Sequence, residues 1–254
     1  MKIATWNVNS IRARIEILMG FIKESDVDIL AIQETKTPDE AFPKNIFDEL
    51  GYEITYSGQK SYNGVAIASK MKVANIKRDF IDTNNEKRVL ELVVKGITII
   101  NSYFPRGGLK GEESFFYKLE FYQRMKNYLK QKIYDGIKLI ILGDFNVAPE
   151  EIDVWNPELL KGTVGFMNEE REIFRGLLDI GLFDAFRQSN PNEKAFSWWD
   201  YRAGSFKKNQ GMRIDHILVS KALLPLVKNC YIDVEPRKLN TPSDHTPVII
   251  DIDI

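Results

Sequence analysis

Polar side chains that can bind a metal ion or a phosphate recur at the ends of apolar segments in this sequence. The segment "LIILGDFNVAP", residues 139–149, runs from four apolar residues straight into Gly143, Asp144, Phe145 and Asn146. Five further apolar segments carry similar residues at or near one end: Asn7 with Asn9, Glu34, Tyr103, Asp215, and Asp244 with His245. One such aspartate or asparagine is usually a turn residue, but six segments that agree indicate a shared site on rigid supports.

The residue types in this set favour one class of metal ion. Four acids and two amides supply hard oxygen atoms: Glu34, Asp144, Asp215, Asp244, Asn7 and Asn146. Mg²⁺ and Mn²⁺ prefer such ligands and leave room for water and phosphate oxygens. Two histidines and one cysteine, Cys230, cannot furnish a typical zinc shell. A hydrolytic metal site also needs a base for water and a donor for the developing charge, and Asp144 and His245 are candidates for these parts.

Motifs of other chemistries are missing from the sequence. It contains no G-x-x-x-x-G-K-[ST], no G-x-G-x-x-G and no G-x-S-x-G. Ser243, Asp244 and His245 are consecutive, so their side chains cannot easily converge as a nucleophile triad.

Composition sets the broad class of protein. With 254 residues, 44% apolar and 28% charged, the chain is typical of a soluble globular protein. A net charge of -1 argues against coating nucleic acid through bulk charge. We expect no membrane segment and no secretory signal, and the single cysteine fits a reducing, cytoplasmic setting. No linker or break in composition divides the chain, so we expect one domain over residues 1–254, as a monomer.

Apolar patterning predicts eight strands and three helices. The strands are residues 3–8, 28–33, 65–69, 90–95, 97–104, 139–142, 214–219 and 248–254. Lys95-Gly96 is typical of a hairpin turn, and the alternating "VIIDIDI" at the end predicts a half-buried strand at a sheet edge. The continuous runs "DILAIQ" and "LIIL" are typical of strands covered on both faces.

The predicted helices do not alternate regularly with the strands. They run from a Ser10 cap past Ile22, from Phe115 to near Gly136, and from Asn168 to Gly181. We therefore expect an α+β fold, a two-sheet β-sandwich flanked by helices on both outer faces, in four layers α/β/β/α. Strand ends grouped at one edge of the sandwich would bring the polar set into one cleft.

With these residues identified, the sequence resembles the exonuclease III class of abasic-site (AP) endonucleases, within the endonuclease/exonuclease/phosphatase superfamily. Matching blocks cover nearly the whole chain in the family's order, among them "IATWNVNSIRAR", "DILAIQETK", "LGDFNVAPEEIDVWNP" and "PSDHTPVII". The resemblance implies a two-sheet sandwich and Mg²⁺-dependent hydrolysis of double-stranded DNA 5′ to abasic sites, with Mn²⁺ as a substitute ion. It also implies 3′–5′ exonuclease activity and removal of 3′-blocking groups.

The resemblance also implies roles for single residues. The matched metal-site residues are Asn7, Glu34, Asp144, Asn146, Asp244 and His245, and the matched catalytic residues are Tyr103, Asp144, Asn146, Asp215 and His245. Glu34 matches the principal metal ligand, and Asp144 matches the residue that orients or deprotonates the attacking water. Asp215 matches the acid that pairs with His245, which contacts the phosphate, and Tyr103 matches a tyrosine that assists at the phosphate or leaving oxygen.

DNA contacts follow from the same comparison. Trp198, Met212 and Ile214 match the walls of a pocket for a flipped-out sugar. Basic residues matched to backbone phosphates are Lys36, Arg106, Lys110, Arg202, Lys207 and Lys208. One of Trp198 and Trp199 is expected to pack in the core. Met212 stands where many relatives have tryptophan, which leaves open the balance among abasic incision, exonuclease activity and incision at other lesions.

Three alternatives stay open on the residues alone. The site chemistry would equally serve a phosphatase acting on small phosphoesters, such as inositol phosphates, or an endonuclease for other DNA base lesions. A non-catalytic DNA-binding module is the third, and the complete acidic set argues against it. The Trp, Tyr, Arg and Lys residues in the loop before "RIDH" favour DNA over small phosphoesters.

Overall fold

The computed structural model describes residues 1–81 and 84–254, and within these ranges the chain forms twelve β-strands. In chain order they are β1 (Lys2–Asn7), β2 (Ile29–Gln33), β3 (Glu53–Ser57), β4 (Val65–Ser69), β5 (Ala74–Arg78), β6 (Val89–Val94), β7 (Ile97–Tyr103), β8 (Leu139–Asp144), β9 (Leu182–Asp184), β10 (Asp215–Ser220), β11 (Val227–Ile232) and β12 (Val248–Ile252). They make two six-stranded sheets, ordered β11-β12-β1-β2-β4-β3 and β5-β6-β7-β8-β10-β9. All eight predicted strands are present; β3, β5, β9 and β11 were not predicted.

Helices cover both outer faces of the two sheets. The α-helices of the described residues are α1 (Ile15–Ser25), α2 (Lys44–Glu49), α3 (Glu113–Tyr134), α4 (Pro157–Leu160), α5 (Asn168–Leu178) and α6 (Ala185–Ser189). Leu18 and Phe21 of α1 pack with Ala4 and Trp6 on the outside of the first sheet. Residues of α3 and α5 share an apolar cluster with the outer face of the second sheet, and a further cluster fills the space between the sheets. The predicted four-layer sandwich is confirmed. In the described part of the chain, no helix has both the length and the apolar character to cross a bilayer.

Several local predictions are also confirmed. Strands β2 and β8 lie inside their sheets and are buried along their whole length, as their continuous apolar sequences predicted. Lys95 and Gly96 join β6 to β7 with φ angles of 49° and 77°, which suits a tight hairpin turn. The long helix ending near Gly136 and the helix beginning at Asn168 are α3 and α5.

Two predictions were wrong: the position of the last strand in its sheet and the residue at which the first helix begins. The final strand β12 is not at an edge, because it pairs with β1 on one side and with the unpredicted β11 on the other. Ser10 does not cap a helix, because α1 begins only at Ile15. The backbone N–H of Ser10 instead donates to Glu34 O at 2.8 Å, and that of Ile11 donates to Thr35 O at 3.1 Å. These bonds extend the β1–β2 pairing beyond the strand ends and delay the helix.

The strand directions bring the polar set to one edge of the sandwich. Strands β1 and β2 are parallel, as are β7 and β8, so the carboxyl ends within each pair lie together. Strand β10 runs antiparallel to β8 and places Asp215 opposite Asp144. Gly143 is required just before Asp144, since its φ is 143° and a Cβ there would lie 1.9 Å from Ser102 O. This close approach lets β8 deliver Asp144 beside β7.

A buried polar bridge connects the two sheets next to this edge. Asn101 of β7 donates from Nδ2 to Ile32 O at 2.9 Å and to Ala66 O at 2.8 Å in the opposite sheet. Gln33 donates from Nε2 to Asn101 Oδ1 at 2.7 Å and to Thr5 Oγ1 at 2.8 Å. Because these bonds are directional and buried, they fix how the sheets are offset, immediately before Glu34 in the chain.

Replacing Asn101 by leucine should destabilise the protein strongly. The Asn101→Leu variant leaves Gln33 and two carbonyl groups without this partner, at about 1–3 kcal/mol for each buried group left unsatisfied. Urea unfolding measures the change, with Asn229→Leu on the exposed part of β11 as the matched control. Equal free energies of unfolding for the two variants would show that the bridge does not hold the sheets.

Candidate active site

Three side chains meet in a cleft at the shared edge of the sandwich. Glu34, Asp144 and His245 each offer a ligand atom, and these atoms all lie within 4.8 Å of one another. They line a cleft of about 430 Å³. Asp144 ends β8, Glu34 directly follows β2 with a φ of 51°, and His245 precedes β12. The three positions are far apart in sequence, and strand pairing brings them together.

Neighbouring donors offset the negative charge of the two acids. Asn7 Nδ2 donates to Glu34 Oε1 at 2.8 Å and to Asp144 Oδ2 at 2.9 Å. Lys36 Nζ lies 2.6 Å from Glu34 Oε2. The oxygen of Asn7 accepts from the backbone N–H of Asn9 at 3.0 Å. The structure therefore turns the amide nitrogen of Asn7, and not its oxygen, toward the acids.

Asp144 is the acid whose protonation is most perturbed. Burial raises its pKa to about 7, and the charges of Asp215 and Glu34 act in the same direction, against the attraction of His245. Its Oδ1 accepts from the backbone N–H of Asn146 at 2.9 Å. A carboxyl group in this range can take up and release a proton near neutral pH.

His245 is held as a cation by two acids. Its Nδ1 lies 2.9 Å from Asp215 Oδ2, and its Nε2 lies 3.7 Å from Asp144 Oδ2. Burial alone would lower the pKa of the imidazole, but the charges of Asp215 and Asp144 outweigh it and raise the pKa to about 10. Ser197 donates to the same Asp215 oxygen at 2.7 Å. The charged ring therefore presents an N–H donor at Nε2, toward the Asp144 side.

Tyr103 supplies a second proton donor to the cleft. Burial, and then the negative charges of Glu34 and Asp144, raise the pKa of its hydroxyl well above the usual value for tyrosine. The hydroxyl is therefore protonated at neutral pH. The Arg88 guanidinium lies 4.8 Å from the centre of the Tyr103 ring and makes a cation–π contact with its face.

Asn146 adopts a left-handed backbone conformation, with a φ of 54°. Its Nδ2 donates to Phe104 O at 3.0 Å, and its own carbonyl accepts from Lys118 Nζ at 2.7 Å. Lys118 is fully buried and forms an ion pair with Glu170 at 2.5 Å. These contacts hold the loop after Asp144 in place.

Lys118, Asn9 and Ser197 take part in the site although the sequence assigned them no role. The sequence does indicate that Lys118 is buried, since it lies at helical spacing between Phe115 and Tyr122, on the buried face of α3. A charge on that face requires a buried partner. Asn9 stood among the polar strand-end residues but received no function. Ser197 follows no pattern that distinguishes it from a loop serine.

Asp244 lies in the cleft but outside the three-residue cluster. Its carboxylate accepts from Asn9 Nδ2 and Trp198 Nε1, each at 3.0 Å. Burial would raise the pKa of Asp244, but His245 and these hydrogen bonds lower it below the ordinary value. Asn9 Oδ1 also accepts from Lys36 Nζ at 2.6 Å. Asn9 therefore links Asp244 to the ion pair of Glu34.

The apolar pocket is the part of the cleft that adjoins its acidic residues. It is backed by a buried cluster of Ala148, Val154, Phe166, Met212 and Ile214, with Trp198 and Leu160 packed against them. Trp198, Met212 and Ile214 line the cleft itself. Trp199 is buried against Phe196 and Phe206, so it is the tryptophan that packs in the core.

The basic residues identified from the sequence divide into two groups. Lys36, Arg106 and Arg202 line the cleft. Lys110, Lys207 and Lys208 are exposed outside its lining, and Lys110 forms an ion pair with Glu169. The first group can reach a ligand in the cleft, whereas the second can contact only a ligand that extends beyond it.

The raised pKa of Asp144 predicts how a substitution changes stability with pH. A carboxyl whose pKa rises from about 4 to about 7 on folding stabilises the folded protein most when protonated. That contribution is complete below about pH 4 and is lost as the pH rises through 7. Asp144→Asn, measured free of divalent cations, should therefore gain stability relative to the wild type between about pH 5 and pH 8.

Thermal unfolding over that pH range measures the difference, with Asp179→Asn at the exposed end of α5 as the control. The raised pKa of Asp144 would be contradicted if the difference in melting temperature between Asp144→Asn and the wild type stayed constant or narrowed with rising pH.

The chain is similar over its length to several known proteins. Its sequence matches the Endonuclease/Exonuclease/phosphatase family over residues 4–245. Exodeoxyribonuclease III of Haemophilus influenzae is 38% identical to it, with 98% of both chains covered. The structure of an AP endonuclease from Archaeoglobus fulgidus superposes with a TM-score of 0.96, at 38% identity and with 100% of both chains covered. A 3′ phosphatase from Neisseria, solved with a product DNA hairpin, gives a TM-score of 0.97 at 36% identity, again with 100% of both chains covered.

Proposed function

The chain belongs to the endonuclease/exonuclease/phosphatase family, in its exonuclease III class of AP endonucleases, and we propose that it hydrolyses DNA 5′ to abasic sites. Activity at 3′ ends, as a 3′–5′ exonuclease and in removing 3′-blocking groups, is part of the proposal. The observation that carries it is the cluster of Glu34, Asp144 and His245, backed by Asp215 and opening beside an apolar pocket.

The donor set of the cluster fits Mg²⁺, with Mn²⁺ as a substitute. Glu34 and Asp144 present carboxylate oxygens to one point, and such hard ligands suit these ions. Asn7 Nδ2 and Lys36 Nζ donate to some of these oxygens and offset part of their negative charge. We propose that Glu34 and Asp144 hold the ion, with Asn7, Asn146, Asp244 and His245 around it. When bound, Mg²⁺ would supply positive charge to the phosphate and to the attacking water.

Three residues of the chain have separate roles in phosphodiester hydrolysis. Asp144 orients the attacking water and takes its proton. The charged His245 donates from Nε2 to a phosphate oxygen and offsets the charge that grows in the transition state, while Asp215 keeps the ring oriented and charged. Tyr103 remains protonated and donates to the phosphate or to the leaving oxygen.

The surroundings of the cluster support DNA as the substrate. The pocket beside it is apolar, as a flipped-out deoxyribose without its base requires, and Trp198, Met212 and Ile214 form its walls. Lys36, Arg106 and Arg202 on the lining, and the exposed lysines beyond it, supply charge for the phosphate backbone. The similar Neisseria structure was solved with a DNA hairpin. We further propose that the protein acts as a single-domain cytoplasmic monomer.

A duplex containing one abasic analogue tests the function directly. Incubation with Mg²⁺ should give one incision immediately 5′ to the analogue and leave a 3′-hydroxyl, whereas EDTA should abolish the product. Mapping both product ends distinguishes this reaction from incision elsewhere. Uncut duplex, together with release of phosphate from small phosphoesters, would favour the alternative of a superfamily phosphatase.

Asp144→Asn should slow incision by about a thousandfold, as expected for loss of a catalytic base. Binding to the abasic duplex should largely survive, since the change leaves the phosphate-binding cations and the pocket in place. Single-turnover kinetics and fluorescence anisotropy measure the two properties, again with Asp179→Asn as the control. Incision at the wild-type rate would remove Asp144 from the mechanism.

Metal binding should be visible without any substrate. A ligand that binds the folded state raises the melting temperature, so Mg²⁺ should stabilise the wild type and have a much smaller effect on Glu34→Gln. Because Asp144 must lose its proton to bind the ion, the Mg²⁺-dependent shift should grow as the pH rises toward about 7.

Differential scanning fluorimetry with and without Mg²⁺ measures the shift, and Glu24→Gln on the exposed face of α1 is the matched control. An equal shift in Glu34→Gln and the control would place the ion elsewhere.

A further inference from the structure

Short backbone bridges run from the apolar pocket to His245. Met212 pairs with Val154 on one side and with Trp198 on the other, and Trp198 pairs in turn with His245. The Met212 N–H donates to Trp198 O at 2.9 Å, and the Trp198 N–H donates to Met212 O at 3.0 Å. Met212 is thus the central member of a small ladder that ends at the proposed phosphate-binding histidine.

Directly beside Met212, Arg213 is buried in a cluster of charged groups. Its Nε donates to Asp153 Oδ1 at 2.7 Å, and its Nη1 donates to Asp184 Oδ2 at 2.8 Å. Its backbone N–H also donates to Asp153 O at 2.8 Å. Only 1% of the Arg213 side chain is exposed, so the cation depends on these partners. The cluster fixes the segment just before β10, which carries Met212 and Ile214.

His216 connects this cluster to the catalytic loop. Its Nδ1 lies 3.0 Å from Arg213 Nη1, and its Nε2 lies 2.8 Å from Val147 O. A guanidinium can only donate and a carbonyl can only accept, so Nδ1 accepts from Arg213 and Nε2 donates to Val147 O. Val147 directly follows Asn146 in the loop that begins at Asp144. The buried imidazole therefore joins the pocket wall to that loop through two directional hydrogen bonds.

The same loop holds the opposite wall of the pocket. The Ala148 N–H, one residue after Val147, donates to Gly165 O at 2.8 Å, next to Phe166. A Cβ at Gly165 would lie 3.3 Å from Met212 Cε, so the two walls are in close contact. A shift of Val147 would move both the catalytic loop and the wall at Gly165. Met212 is a flexible side chain and cannot by itself define the width of the pocket.

We propose that Arg213 and His216 are positioning residues. They set the distance between the pocket wall at Met212 and the loop that follows Asp144, and thereby the selectivity of the pocket. A correctly spaced pocket accepts an abasic sugar opposite Asp144 and excludes an intact nucleotide. Loss of the connection widens the pocket, so that incision at abasic sites falls relative to exonuclease action on undamaged 3′ ends. The inference rests on the proposed function and identifies what sets the selectivity of that site.

Two substitutions at His216 separate positioning from packing. Glutamine can accept from Arg213 through its oxygen and donate to Val147 O through its nitrogen, whereas leucine has similar bulk and can do neither. His216→Leu should lower kcat/KM for abasic incision by about 10–100-fold, the usual effect of losing a supporting hydrogen-bond partner. The ratio of abasic incision to exonuclease activity should fall at least several-fold, while His216→Gln should keep that ratio within a factor of about two to three of the wild type.

The readouts are kcat/KM on the abasic duplex, the rate on an undamaged 3′ end, and the melting temperature of each variant. A purely structural role would lower both activities in proportion to lost stability and would leave their ratio unchanged. An unchanged ratio in His216→Leu overturns the inference. So does an equal fall in ratio for the leucine and glutamine variants at similar melting temperatures. If the leucine variant does not fold, His216→Met, with its adaptable side chain, takes its place under the same criteria.

Failure of the inference is distinguishable from failure of the proposed function. If the wild type does not incise the abasic duplex, the proposed function is wrong and the selectivity assigned to His216 is wrong with it. If the wild type incises and the leucine variant keeps the wild-type ratio, the function stands and only the positioning role is lost.

Discussion

The mutual repulsion of carboxylates is the constraint on which this site depends. Asp144 is buried beside Glu34 and close to Asp215, where negative charges in a medium of low polarity disfavour one another. The protein tolerates this arrangement because Asn7 donates to both Glu34 and Asp144, and because the cationic His245 lies between Asp144 and Asp215. Burial first, and then the remaining repulsion from Asp215 and Glu34, raise the pKa of Asp144 to about 7. The same burial and repulsion support the proposed roles of Asp144 as the base for water and of the cluster as a site for a divalent cation.

Such a cluster has to be built on rigid supports, and the two sheets provide them. Two parallel strand pairs, one in each sheet, end at the same edge, and the buried bridge at Asn101 fixes the offset between the sheets. This part was readable from the sequence, because strands are recognised by their apolar periodicity and the polar residues stand where the periodicity stops. Residue type also predicted a cluster able to bind a metal ion, and Glu34, Asp144 and His245 form such a cluster. Mg²⁺ as the ion remains a prediction from the oxygen ligands.

The features that the sequence did not predict depend on pairing between distant segments. The local pattern of apolar and polar residues does not show them. Strand β5 is exposed along its length and so shows no alternation, and β9 has only three residues. Without β11, the last strand could only be placed at an edge. Ser10 has the right residue type for a cap, but backbone bonds to Glu34 and Thr35, more than twenty residues away, override that preference. Likewise Glu34 and Lys36 adopt positive φ angles, which their residue types do not predict. Asn146 also has a positive φ, but asparagine adopts this conformation more often.

The two histidines of the chain show how far function depends on partners that the sequence does not reveal. His245 lies between Asp215 and Asp144 and is charged, so it can donate toward a phosphate. His216 lies between a guanidinium that only donates and a carbonyl that only accepts, so it bridges the two through hydrogen bonds. Each immediately follows an aspartate in the sequence, in Asp215-His216 and Asp244-His245, so local context would assign them the same role. Asp215 itself pairs with the distant His245 and not with its neighbour, because strand β10 points the two side chains to opposite faces of the sheet. That alternation places Asp215 with His245 on one face of the strand and His216 with Arg213 on the other.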